Sequence, residues 1–320
     1  MIVMASRDRL ELSEAETVDI HVAGAEANVA TGLAMLGSSV EWWSRLGADP
    51  FGDRIRRVLT DRGVRCDGIV ADATRPTGVY FKDTSSSRTE VFYYRRGSAA
   101  SEMSPADLPL LHLSERSLVH VSGITAALSE RCDDLLTQIL SRRSASLRIS
   151  FDVNFRRKLW GDVETAAVRL RGLANASDIV FVGRDEAESL WGCPDVAAIR
   201  ETLPGPAVLV VKDADHEATA IRESRSGEDH ATVVPALRVD TVDAVGAGDA
   251  FASGWLSGWL AGDDDARALR KGHLMAAHAL IASADVNAHV DATLIEELSG
   301  VDDDRWRELR FPLAPEQEEK

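Results

Sequence analysis

The chain has 320 residues, 45% of them hydrophobic and 28% charged, enough to bury a large core in one α/β domain. A formal net charge of −16 argues against nucleic acid or an anionic membrane as partner, so any anionic substrate must be met by a local cluster of Arg or Lys. Cys66, Cys132 and Cys193 are too few and too scattered for a zinc site or a disulfide framework, and no signal peptide or membrane-length apolar run is visible, which reads as a cytoplasmic protein with reduced thiols.

In chain order, Met1 to Ala5 reads as a strand or part of one. In HVAGAEANVATGLAMLG, Ala25, Val29, Leu33 and Leu36 share a helical face, with Gly24 just before the helix, Asn28 in its first turn and Gly37 as its stop. VEWWSRLG (40–47) predicts a buried strand, and PFGDRIRRVLTDRG (50–63) an amphipathic helix closed by Gly63. TGVYFKD and TEVFYYRRG, separated by Ser85-Ser86-Ser87, predict a β-hairpin. Alternation along its second strand puts Tyr93 and Arg95 on one face and Phe92 and Tyr94 on the other. Tyr93 and Arg95 are either a solvent face or a grip for a carboxylate or polyol.

From residue 117 onward apolar strands alternate with amphipathic stretches: SLVHVSG (117–123), LRISFDV (147–153), DIVFVG (178–183) and AVLVVKD (207–213). That rhythm predicts a parallel sheet covered by helices on both faces, with ligands beyond the carboxyl ends of its strands. DVNFRRKLW (152–160) sets Asp152 and Asn154 straight after a strand, followed by Arg156, Arg157 and Lys158. Arg156 is either part of a solvated basic loop or the partner of an anionic substrate group.

RVDTVDAVGAGDAF carries the sharpest chemistry. The small residues Gly246, Ala247 and Gly248 let successive backbone amides face one point, and a helix opens at Asp249 with Phe251, Trp255, Leu256 and Trp259 along it. Unpaired amides at a helix start attract a phosphate, and an Asp beside that anion either caps the helix or takes a proton from a hydroxyl. Further helices follow at 263–284 and in ATLIEELSG, where His273 and His278 read as packing residues, and APEQEEK reads as a solvated tail.

These segments together resemble the ribokinase-like family of sugar kinases, and within it the 2-keto-3-deoxygluconate kinase branch. AGAEANVATGLAMLG with LGADPFGDRI is similar to the family's N-terminal signature and VDAVGAGDAF to its C-terminal one. TGVYF, FYYRRGSAAS, VSGITAAL and FDVNFRRKLW are similar to stretches of the branch. The resemblance implies a three-layer α/β sandwich with a central, mostly parallel sheet. It also implies a small β-sheet lid, contributed by about 66–97 and also by 15–23, within a single domain over 1–320.

It further implies ATP and magnesium as cofactors and a sugar acid as substrate. Asp249 would deprotonate the acceptor hydroxyl, with the amides of Gly246, Ala247 and Gly248 holding the transferring phosphoryl. Gly24, Asn28, Tyr80, Tyr93, Arg95, Ile124 and Arg156 would contact the sugar acid. Asn154, Lys212, Asp243, Gly246 and Gly248 would serve the nucleotide, and Glu186 the magnesium ion indirectly. The lid would also make the contact of a homodimer.

Some positions depart from the family pattern. Members open with a full strand ending in Gly-Glu, and this chain opens inside it. The Asn of an Asn-x-x-Glu motif is Gly183, a Gly-x-x-Gly turn becomes Ala214-Asp215-His216-Glu217, and the Gly before Asp285 is Ala284. These changes gather on the nucleotide side and leave two alternatives to a sugar-acid kinase. One is a kinase for a neutral sugar of the fructose or ribose type; the other is a sugar-acid-binding pseudokinase.

Overall fold

The computed structural model describes residues 1–8, 10–83, 90–223, 229–282 and 290–312. β1 (Ile2–Ser6) and β2 (Val18–Val22) pair antiparallel and lead into α1 (Ala25–Met35). Ala25, Val29 and Leu33 are buried along one side of α1, and Gly37 at φ 85° ends the run. β3 (Arg45–Gly47) and β4 (Val70–Asp72) form a parallel pair joined by α2 (Pro50–Asp61), whose cap Asp49 accepts from the amides of Phe51 and Gly52. β5 (Val79–Asp83) and β6 (Glu90–Tyr94) make the expected hairpin; its connection, with Ser85 to Ser87, lies outside the described residues. The four strands form a small sheet in the order β2-β1-β5-β6.

After short 3₁₀ turns between Ala99 and Glu115 the chain enters the large sheet. β7 (Leu118–Ser122) is followed by α3 (Gly123–Ala126) and α4 (Glu130–Leu140), β8 (Arg148–Asp152) by α5 (Val163–Asn175), and β9 (Ile179–Gly183) by α6 (Arg184–Trp191) and α7 (Val196–Thr202). β10 (Val208–Asp213), β11 (Glu217–Glu223) and β12 (Asp229–Pro235) complete a sheet of order β12-β11-β10-β9-β8-β7. β7 to β10 are mutually parallel, β11 is antiparallel to β10, and β12 is antiparallel to β11. β13 (Arg238–Val239) then leads to α8 (Ala247–Ala261), α9 (Asp265–Leu280), α10 (Ala292–Ser299), α11 (Asp303–Glu308) and β14 (Arg310–Phe311), which pairs with β13.

Strand alternation builds three layers. Val180, Val182, Leu209 and Val211 pack on one face with Leu135 and Leu170 from α4 and α5. Ile179, Phe181, Val208 and Val210 pack on the other with Trp255 and Leu274 from α8 and α9. α8 and α9 approach closely because a Cβ on Gly254 would fall 2.3 Å from the Lys271 carbonyl oxygen. His273 is a core residue, its Nε2 3.1 Å from the Val234 carbonyl oxygen, and burial lowers its pKa to about 4. The three cysteines are free and buried.

The opening strand holds as read, and it pairs with β2 and β5 in the small sheet. One expectation needs correction. The buried strand expected over 40–47 shrinks to Arg45–Gly47 plus a single bridge from Glu41 to Arg65, since only these residues find a backbone ladder. The β11–β12 hairpin has no counterpart in the sequence reading; its outer strand is largely exposed and lacks a continuous apolar run. The altered position Ala284, just before Asp285, and the tail from Ala314 lie outside the described residues.

Candidate active site

The helix start after the glycine turn sets the site. Gly246 at φ 88° and ψ −11° takes a left-handed turn that glycine adopts without strain, and α8 begins at once at Ala247. The helix therefore opens two residues earlier than the sequence suggested, and Asp249 sits inside its first turn instead of capping it. The Ala247 amide donates to the Ala244 carbonyl at 3.3 Å, so one of the three small-residue amides is engaged in the turn itself.

Asp249 is buried, yet both carboxylate oxygens are held. Asn28 Nδ2 donates to Oδ2 at 2.8 Å and Asn154 Nδ2 to Oδ1 at 3.2 Å. Asn28 comes from the first turn of α1, and Asn154 follows β8 in a left-handed conformation (φ 40°) that asparagine tolerates. Burial raises the Asp249 pKa to about 6, helped by the nearby Asp152 carboxylate and opposed by the Asn28 hydrogen bond, Arg156 and Lys212. A carboxylate poised near neutrality and tied from two sides is the form a general base takes.

Above Asp249 opens a cavity of about 550 Å³, to which Gly24, Asn28, Ile124, Asn154, Arg156 and Gly246 also contribute. Tyr80, Tyr93 and Arg95 reach it from the small sheet, with the two tyrosine rings 5.4 Å apart and the Arg95 guanidinium 4.2 Å from the Tyr93 ring centre. Phe92 and Tyr94 point outward, at 42% and 66% exposure. Arg95 is buried, and its Nε and Nη2 carry no hydrogen bond among the described residues. Burial depresses its pKa, a sign that the guanidinium is set where an anion would repay its desolvation.

Arg156 is largely exposed; its Nη1 donates to the Phe155 carbonyl at 3.1 Å and lies 3.6 Å from Glu186. Glu186 accepts from the amides of Phe155 at 2.8 Å and Gly183 at 3.0 Å, and burial followed by Asp152 raises its pKa. The Lys212 Nζ lies 2.9 Å from Asp152 Oδ2, and a Cβ on Gly248 would fall 3.5 Å from that Nζ. Burial alone would lower the Lys212 pKa; the carboxylates of Asp152 and Glu186 outweigh it and raise it. Asp243 does not line the cavity, its Oδ2 being taken by Lys82 at 2.8 Å. At the end of β10, where the resemblance leads one to expect a glycine turn, Ala214 adopts φ 45°, a strained value for a residue with a Cβ.

Two residues at the cavity escaped the sequence reading. Glu26 lines it, and its Oε1 accepts from Ser122 Oγ at 2.7 Å and Thr125 Oγ1 at 2.6 Å. His120 lines it too, its Nδ1 2.9 Å from Ser150 Oγ. Glu26 stood inside a quoted motif, but nothing local separates it from a helix-start acid; His120 leaves no local signal at all, and neither does Lys82, the partner of Asp243 outside the cavity.

The model of the pfkB family of carbohydrate kinases matches residues 1–288. The chain belongs to that family. The kinase is 34% identical over 282 residues to a 2-dehydro-3-deoxygluconokinase of Bacillus subtilis, with 86% of each chain covered. It is 29% identical to a 2-dehydro-3-deoxygalactonokinase of Haloferax volcanii, with 87% of each covered. Among solved structures, a PfkB protein from Polaromonas superposes with a TM-score of 0.80 at 32% identity, covering 88% of the kinase and 93% of that chain. The expected family and the expected three-layer fold with its mostly parallel sheet hold. No helix among the described residues is long and apolar enough to cross a membrane.

Proposed function

We propose that the kinase transfers the terminal phosphoryl group of ATP to the terminal hydroxyl of a keto-deoxy sugar acid, 2-keto-3-deoxygluconate or its galactonate epimer. The observation that carries this reading is Arg95, a buried guanidinium with two unengaged nitrogens, facing the same cavity as Asp249. A neutral sugar offers only neutral acceptors against its burial, whereas a carboxylate adds the opposite charge. The names of the relatives point the same way.

In this reading Asp249 accepts the proton as the hydroxyl oxygen bonds to phosphorus and the bond between the β and γ phosphates breaks, releasing ADP. Gly246 to Gly248 present the start of α8 to the developing negative charge, and Lys212 adds its ammonium beside them. Gly24, Asn28 and Ile124 bound the sugar, Arg95 and Arg156 hold its carboxylate, and Tyr80 with Tyr93 cover it. The small sheet is then a lid that keeps water from competing as acceptor. Asp243 acts on the nucleotide side only through the turn it anchors, its Oδ1 accepting from the Val245 amide at 3.0 Å.

Magnesium would neutralise phosphate charge. No cluster of three or more His, Cys, Asp or Glu able to hold a metal is present among the described residues. Glu186, with spare lone pairs, and the buried, unbonded Asn154 Oδ1 fit a hydrated ion held mainly by the phosphates. Phe92 and Tyr94 on the outer lid face are the surface through which a second copy would dock to make a dimer.

An ADP-release assay with ATP, magnesium and a panel of both keto-deoxy acids, gluconate, fructose and ribose tests the proposal. Turnover confined to the keto-deoxy acids is expected. Turnover of fructose or ribose instead would sink it.

A further inference from the structure

Glu26 stands in the cavity wall, half-buried, and its two carboxylate oxygens are used unequally. Oε1 accepts from both Ser122 Oγ and Thr125 Oγ1, at 2.7 and 2.6 Å. Oε2 takes no hydrogen bond among the described residues, and neither oxygen forms an ion pair among them. The turn that carries the two hydroxyls does not need Glu26 to hold it. Its backbone closes on itself, with the Ala127 amide donating to the Gly123 and Ile124 carbonyls at 3.3 and 3.1 Å and the Leu128 amide to the Thr125 carbonyl at 3.2 Å. Gly123 also sits so close to the loop after β8 that a Cβ would fall 2.2 Å from the Val153 carbonyl oxygen. The hydroxyls therefore fix the carboxylate, so that one oxygen is occupied and the other is left as an acceptor. A half-buried carboxylate with an unused oxygen and no cation is costly unless a donor arrives.

The place of Glu26 along the cavity says which donor. Asn28, in the same first turn of α1, holds Asp249. At the other end, burial lowers the Arg95 pKa while the charges of Tyr93 and Glu26 oppose it, so Glu26 is within electrostatic reach of Arg95 without pairing with it. An acceptor with its carboxylate at Arg95 and its terminal hydroxyl at Asp249 thus runs past Glu26 with the carbons in between. We propose that Glu26 is a specificity residue of the kinase: its Oε2 accepts a hydrogen bond from a secondary hydroxyl of the acceptor. This role rests on the keto-deoxy acid reading, whose substrates carry their secondary hydroxyls between the keto group and the terminal carbon. A hydroxyl shared with a carboxylate makes a charge-assisted bond, and an acceptor without it leaves Oε2 desolvated and empty. The same negative charge repels the substrate carboxylate from this part of the wall, so the acid enters in one orientation.

The test sets 2-keto-3-deoxygluconate against 6-hydroxy-2-oxohexanoate, which keeps the carboxylate, the keto group and the terminal hydroxyl but lacks the secondary hydroxyls. Glu26→Gln keeps an oxygen for Ser122 and Thr125 while its NH₂, a donor, replaces Oε2. kcat/KM, the calorimetric Kd and the thermal midpoint are read for parent and variant with both acids. The parent should favour the hydroxylated acid by at least about 100-fold in kcat/KM. Glu26→Gln should weaken binding of that acid by roughly 10- to 100-fold, mainly through KM, and leave the deoxy acid unchanged or better bound. Equal losses for both acids, or no loss for either, would overturn the role of Glu26 and leave the substrate class standing. Turnover of fructose or ribose by the parent, with neither acid bound, would instead remove the reading on which that role rests. Thr125→Val takes away one of the two donors to Oε1 and gives a second arm. A smaller loss confined to the hydroxylated acid is expected, and a loss shared by both acids counts against the role.

Discussion

Lys82 of the small sheet and Asp243 of the large body form a buried ion pair, Nζ to Oδ2 at 2.8 Å, with side-chain exposures of 2% and 7%. Asp243 also accepts from the Val245 amide, so the pair ties β5 to the backbone just ahead of Gly246. A buried pair is costly to break, because the remaining charge has no water to turn to. We expect Lys82→Met to destabilise the protein by roughly 3–5 kcal/mol. The double variant with Asp243→Asn should recover much of that loss. Thermal and denaturant unfolding of the single and double variants check it, and equal losses in both would remove the coupling.

Asp249 carries a second expectation. Its pKa of about 6 stands above the ordinary carboxylate value of 3.8, so the folded protein keeps this proton through a range where the unfolded chain has lost it. Stability from this group is therefore greatest below pH 3.8 and declines as pH rises to about 6. Activity moves the opposite way: the base must be ionised, so kcat/KM should rise with pH through a limb near 6. Asn28→Ala removes the hydrogen bond that favours the carboxylate and should move that limb upward. A pH–rate profile with no acidic limb would argue against Asp249 as base.

Replacing the base itself separates chemistry from binding. Asp249→Ala should cut kcat by roughly 10²–10⁴-fold while sugar-acid binding persists. Single-turnover kinetics and calorimetry read the two quantities independently. Retained turnover would take the role away.

For the substrate carboxylate, a charge-assisted hydrogen bond contributes roughly 1.5–3 kcal/mol net. Arg95→Leu should then raise KM for a keto-deoxy acid by roughly 10- to 150-fold, with a smaller change in kcat. Arg156 is more exposed, so Arg156→Leu should act in the same direction and less strongly. An unchanged KM in both variants would mean that the acid is bound elsewhere.

Gly254→Ala probes packing away from the chemistry. Its new methyl would meet the Lys271 carbonyl oxygen at 2.3 Å, where backbone cannot yield cheaply. We expect a loss of roughly 1–3 kcal/mol in stability, as for other overpacked cores. KM should stay near the parent value for whatever fraction remains folded.

Much of this molecule was written locally. The strands at 118–122, 148–152, 179–183 and 208–213 each announce themselves as apolar runs, because a strand buried on both faces must be apolar throughout. The hairpin of β5 and β6 and its two-faced alternation were equally legible, as was the tight turn ahead of α8, where the lack of side chains at Gly246 and Gly248 is itself the signal. Other features exist only between distant parts of the chain. Asp249 becomes a candidate base through Asn28 and Asn154, which are 221 and 95 residues away in sequence. Lys82 reads as one more polar residue on a strand until folding sets it against Asp243. The start of α8 and the membership of β1 in the small sheet were decided by which backbone edges and buried charges meet, and periodicity along a single segment carries no record of what packs against it.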